Sequence, residues 1–161
     1  MTITVTLSRP PHEAADELSR ADLEFRGVDH SGPSFEARVY LDNPAADAAT
    51  GRDPADGYAG SFHVFGHGGC FGELGHCDIP QGPSSPYDLR FRHQLTPQYK
   101  TVIITAALRK VMASGTRRTL TVTLVPIVRD NPVSAVGKIA DPLRFDSVSL
   151  ITYEGSVETS G

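Results

Sequence analysis

Three of the chain's six histidines and both of its cysteines fall in one fifteen-residue stretch, His63-Val-Phe-Gly-His67-Gly-Gly-Cys70-Phe-Gly-Glu-Leu-Gly-His76-Cys77. Thiolate and imidazole are the donors that zinc and copper prefer. The five glycines between Gly66 and Cys77 make the stretch a loop and free its backbone to wrap tightly around an ion. His67, Cys70, His76 and Cys77, with His63 in reserve, form the candidate metal site, and the soft thiolates select Cu(I) or Zn(II) over calcium or magnesium. Alternation along Tyr58 to Phe65 places His63 and Phe65 on one face and Phe62 and Val64 on the other, so His63 points away from a core that holds Phe62.

Other readings use the same residues. The spacing matches no paired Cys-x-x-Cys zinc template. Cys70 and Cys77 can instead close a short disulfide loop, which excludes a metal because binding needs free thiolates. Alternatively, the cysteines are small buried apolar residues and the histidines hold the loop by hydrogen bonds. A cysteine nucleophile would need an orienting group that the sequence does not supply. Glu73 has no second carboxylate in the loop for acid–base work. The glycines lack the Gly-Lys-Ser/Thr ending of a phosphate loop. Asp42, Asp53, Asp56 and Asp78 form no calcium-loop pattern. No catalytic residue and no organic cofactor site is assigned.

The elements that must position this loop are strands. Period-two alternation marks Thr2–Leu7, Ala21–Val28, Ser34–Leu41, Tyr58–Phe65, Lys100–Thr105, Thr119–Val125 and Phe145–Tyr153. In Ser34–Leu41, Phe35, Ala37, Val39 and Leu41 face one way and Glu36, Arg38 and Tyr40 the other. Ala106–Ser114 is a short helix with Leu108, Val111 and Met112 on one face, Thr105 as its cap and Gly115 at its end. The pattern predicts an all-β fold, an antiparallel two-layer β-sandwich of about seven strands with one short helix. The expected core contains Phe35, Val39, Leu41, Phe62, Val102, Ile104, Leu108, Val122, Leu124 and Val148. Ala45 to Gly57 reads as a small, acidic loop.

The 161 residues are one domain's worth, with 39% hydrophobic and 21% charged residues. A net charge of -4, with Arg90-Phe-Arg92-His93 and Arg117-Arg118 short and separated, argues against nucleic acid as a partner. No apolar run approaches the ~20 residues that cross a bilayer, and Met1 to Leu7 does not read as a secretory signal. The expectation is a soluble, cytoplasmic chain. Two cysteines exclude a disulfide framework.

Four segments occur in a telling order: Phe35-Glu-Ala-Arg-Val-Tyr-Leu41, Tyr58-Ala-Gly-Ser-Phe-His63, Thr101-Val-Ile-Ile-Thr-Ala-Ala-Leu108 and Leu120-Thr-Val-Thr-Leu-Val-Pro126, closed by Phe145-Asp-Ser-Val-Ser-Leu150. The series resembles the C-terminal β-domain of the tyrosinase and polyphenol oxidase family, over roughly residues 35–153. In that family a separate helical domain holds two copper ions through six histidines and oxidises phenols, and the β-domain packs over the copper site and can shield it. The resemblance implies a non-catalytic accessory domain, shielding, chaperone-like or stabilising, whose partner is a tyrosinase-type dicopper domain, fused or separate. Phe62, Phe65 and Phe71 read as core and loop packing; the alternative is that one of them is a plug inserted toward the copper centre. The six histidines here (His12, His30, His63, His67, His76 and His93) do not make that centre, because a dicopper site needs ligands on rigid facing helices and none lies on a predicted helix. The loop from His67 to Cys77 departs from the plant pattern, which is rich in Lys and His there. The rival expectations are a stand-alone copper- or zinc-binding protein that uses residues 63–77, and a small enzyme built on that loop.

Overall fold

A computed structural model describes residues 2–67, 86–87, 96–114, 117–128 and 141–155. Seven strands, β1 (Ile3–Ser8), β2 (Leu18–Val28), β3 (Phe35–Leu41), β4 (Tyr58–Val64), β5 (Gln98–Ile103), β6 (Thr119–Val128) and β7 (Ser147–Glu154), accompany one α-helix, α1 (Thr105–Ala113). They form two antiparallel sheets, a four-stranded one in the order β1-β6-β3-β4 and a three-stranded one in the order β5-β2-β7. The sandwich expected from alternation is the fold observed.

The core lies between the sheets because every strand turns one face inward. Leu23 and Phe25 of β2 meet Val39, Leu41 and Phe62 of β3 and β4, together with Leu120, Val122 and Leu124 of β6, all of them buried. Phe25 and Phe62 join the two layers directly, with ring centroids 4.9 Å apart, and Phe145 meets Phe25 edge-on at 5.6 Å. Each such ring contributes about 2 kcal/mol by leaving water. Leu108 and Met112 of α1 are fully buried in the same cluster, and Val148 packs partly buried against it. All ten expected core residues therefore lie in it or on it.

Several boundaries differ from the expectation, each for a physical reason. Thr105 does not cap α1. It is the first helical residue, and its hydroxyl accepts from the Ala21 amide at 2.9 Å, tying the helix start to β2. β6 runs on through Pro126 to Val128. β1 pairs with β6 only as far as Leu124, so Pro126 sits where β6 has a neighbour on one side alone and its missing N–H leaves no ladder bond broken there. In β2 the pairing with β5 shifts between Phe25 and Val28, where Gly27 takes φ +70°, a bulge that a side chain would strain.

β3 alternates but is buried on both faces. The segment from Asp42 to Gly57 folds back over the outer face of the larger sheet and makes a second, small core of Tyr40, Ala46 and Val125, with Tyr58 and Ile127 alongside. The Tyr40 hydroxyl donates toward the Thr50 and Gly51 carbonyls, both at 3.0 Å. Asp47 accepts from the Ala49 and Thr50 amides and fixes the turn between them.

Candidate functional site

The histidine-rich stretch begins on β4. Phe62 and Val64 point into the core, and His63 and Phe65 point out, as alternation requires; Phe65 is 80% exposed. Phe62 therefore cannot be inserted into a partner. Opposite His63 in the register stands Glu36. This carboxylate is largely buried, yet it accepts from Arg52 at 2.7 Å and Arg38 at 3.5 Å. Burial alone would push Glu36 up, but the Ser61 hydroxyl and the two guanidiniums outweigh burial and hold it below the ordinary carboxylate value. A carboxylate kept charged in this way is a structural anchor for the 42–57 segment, not a proton donor.

Past β4 the chain is stitched to the segment between β2 and β3. The Gly66 amide donates to Ser34 Oγ at 3.0 Å and the His67 amide to the His30 carbonyl at 2.9 Å. Gly66 passes so close to Gly32 and Pro33 that a Cβ would sit 2.1 Å from the Gly32 oxygen. The His67 ring stands edge-on to that of His30, centroids 4.9 Å apart, and its Nδ1 faces the His30 carbonyl at 3.4 Å. A carbonyl only accepts, so in this long contact Nδ1 is the donor and Nε2 is the ring nitrogen not turned to that carbonyl.

His30 is the residue that the sequence did not single out. Its Nε2–H donates to the Thr96 carbonyl at 3.0 Å, and the Gln98 amide donates to its Nδ1 at 3.1 Å. Both ring nitrogens are thus committed, and His30 is no metal ligand. It joins the point where the chain leaves at His67 to the point where it returns at Thr96. An isolated histidine in a turn carries no sequence signal for such a role. Arg144 pairs with the adjacent Asp29 at 2.6 Å, and the Asp29 amide donates to the Arg144 carbonyl, so the start of the last strand segment is held at the same corner.

Of the expected metal ligands, His67 is at this corner with an oriented ring and His63 is on the outer face of β4. Cys70, His76 and Cys77 lie outside the described residues, as does Phe71. Among the described residues no three histidine, cysteine or carboxylate side chains converge on one point. No described helix is long and apolar enough to cross a membrane.

The architecture, two sheets of four and three strands with one end helix, can be compared with solved structures. The sandwich is similar to part of a polyphenol oxidase. Latent aurone synthase (polyphenol oxidase) from its natural source matches with a TM-score of 0.52 and 15% identity over 96% of this chain, but over only 24% of its own length. The recombinantly expressed latent enzyme matches with a TM-score of 0.51 and 16% identity, over 95% of this chain and 24% of its own. The chain thus spans about a quarter of the polyphenol oxidases it matches, and at these identities the likeness is one of fold. No protein-family model and no curated protein sequence matches the chain. The one α-helix described carries no histidine.

Proposed function

We propose that this chain is a non-catalytic accessory domain of a tyrosinase-type dicopper oxidase, fused to it or supplied separately, which shields or stabilises the helical copper domain. The observation that carries this reading is the asymmetry of the structural likeness: 96% of this chain corresponds to 24% of a polyphenol oxidase, leaving room in that chain for a whole catalytic domain. The order of the sequence segments, which resembles that of the family's C-terminal β-domain, supports the same reading. Phe65, exposed and at the end of β4, is the aromatic side chain best placed to reach a partner.

The test adds the purified chain to a copper-loaded tyrosinase domain of the same organism and follows catechol oxidation. The reading expects binding, with a fall in turnover or a rise in the oxidase's thermal midpoint, and a weaker effect from Phe65→Ser. Absence of binding to any dicopper domain encoded with it, or oxygen-dependent phenol turnover by the copper-loaded chain alone, overturns it.

A second reading, a copper or zinc site at His67, Cys70, His76 and Cys77 with His63 in reserve, is favoured by one observation. His67 turns its Nδ1 to a backbone carbonyl, the arrangement that fixes tautomer and orientation in metal-bound imidazoles.

A further inference from the structure

Arg117 and Arg118 are too few to form a nucleic-acid surface, but the fold does not leave them alone. The Arg9 amide donates to the Arg118 carbonyl at 2.9 Å, bringing the end of β1 to the start of β6. Beside this junction lies a cavity of about 420 Å³ lined by Ser8, Arg9, His12, Glu13, Arg117 and Arg118. Among the described residues the lining thus holds three arginines and one glutamate, in a chain whose net charge is -4. The volume is that of a small-ligand site.

The nearby C-terminus of α1 would oppose an anion, because a helix ends in unpaired carbonyls with partial negative charge. Two of those carbonyls are already engaged. Arg9 Nη1 donates to the Val111 oxygen at 3.1 Å and His12 Nδ1 donates to the Met112 oxygen at 2.8 Å. The same bonds fix both side chains, and His12 keeps Nε2 as its remaining polar atom. Among the described residues no hydrogen bond or ion pair engages the Arg117 or Arg118 side chain. Guanidinium forks suit tetrahedral oxyanions, which accept paired hydrogen bonds, and the Ser8 hydroxyl adds a donor.

We infer that this cavity is a binding site for one small tetrahedral oxyanion, a phosphate or sulfate group, free or as an ester, held chiefly by Arg117 and Arg118 against the fixed Arg9 and His12. Isothermal titration of the full chain at low ionic strength with sodium sulfate, inorganic phosphate and a small phosphate monoester tests it. The expected result is saturable one-to-one binding that sodium chloride at equal ionic strength does not reproduce. It should weaken at least about tenfold in Arg117→Gln/Arg118→Gln and be unchanged in Arg26→Gln, which removes a positive charge on a different strand. The double variant should keep the thermal midpoint of the anion-free protein, which separates lost binding from lost folding. A tighter monoester assigns the site to an ester, and equal affinities assign it to the free anion. Chloride acting as well as sulfate, equal weakening by Arg26→Gln, no saturable binding, or a duplex oligonucleotide binding more tightly with a steep salt dependence overturns the inference.

Discussion

His30 is held between two residues far away in sequence: its ring Nε2 donates to the Thr96 carbonyl at 3.0 Å, and its backbone carbonyl accepts the His67 amide at 2.9 Å. His30 therefore ties His67 to Thr96, through its backbone on one side and its ring on the other. His30→Ala removes a buried imidazole together with its hydrogen bonds to Thr96 and Gln98. The expected cost is about 2 kcal/mol, or a fall of roughly 4–8 °C in the thermal midpoint. Chemical denaturation of wild type and variant checks it; an unchanged midpoint would show that His30 merely fills space.

Gly66 sets the path into that corner. A Cβ there would meet the backbone of Gly32 and Pro33 at 2.1 to 2.5 Å, and backbone atoms do not swing aside as a side-chain tip does. Gly66→Ala should destabilise the fold by about 1–3 kcal/mol, whereas Gly51→Ala, whose Cβ would meet nothing nearer than 3.4 Å, should be close to neutral. Comparing the two midpoints distinguishes crowding at Gly66 from a general effect of losing a glycine.

The sandwich was legible because alternation is a local signal: Phe35, Val39 and Leu41 on β3, and Val122 and Leu124 on β6, repeat at the period of a strand and share a face. What alternation cannot say is what covers the other face. Tyr40 reads as outward-facing and is outward-facing, yet it is fully buried, because Asp47 and Thr50 bend the following loop back over it. Likewise, Thr105 has the right type and place for a helix cap, and a tertiary bond to Ala21 claims its hydroxyl. At the candidate site the outward turn of His63 followed from the core position of Phe62. The role of His30 did not, since its partners are 66 and 68 residues away. Arg9 and His12 reach the Arg117–Arg118 pair by the same kind of long-range closure, which no spacing rule encodes.

Acid should weaken the fold partly through Glu36. Its folded-state pKa is depressed, so the charged form stabilises the fold above the unfolded value and that stability is lost as pH falls through the folded one. Asp29 is depressed too. Burial opposes the shift there, and the Ser31 bonds and Arg144 overcome it. Glu36→Gln keeps the shape, removes the charge and turns the ion pairs with Arg52 and Arg38 into weaker neutral-acceptor contacts. At neutral pH it should cost about 1–3 kcal/mol. Wild type and variant should converge only as pH falls through the depressed folded-state value of Glu36, beneath the ordinary carboxylate range, where the wild-type carboxylate also becomes neutral. A gap independent of pH would mean that packing, not charge, is what Glu36 supplies.

The cysteines decide between the readings of the histidine-rich stretch. His67 has Nε2 as the ring nitrogen not turned to the His30 carbonyl, and His63 faces outward on β4, so a metal centre would have to be completed by Cys70, His76 and Cys77. Metal binding needs both thiols free and deprotonated, and a Cys70–Cys77 disulfide removes them, so the two states are exclusive. Titration of thiols in the native chain, paired with elemental analysis, should give two free thiols and about one equivalent of copper or zinc if the site forms. Cys70→Ser should then release the metal, while His63→Gln should leave most of it bound, because His63 is exposed on the outer face of β4 and stands only in reserve as a ligand. No free thiols and no metal would instead identify a disulfide-pinned loop, and two free thiols without metal after incubation with either ion would leave the histidines a purely structural role.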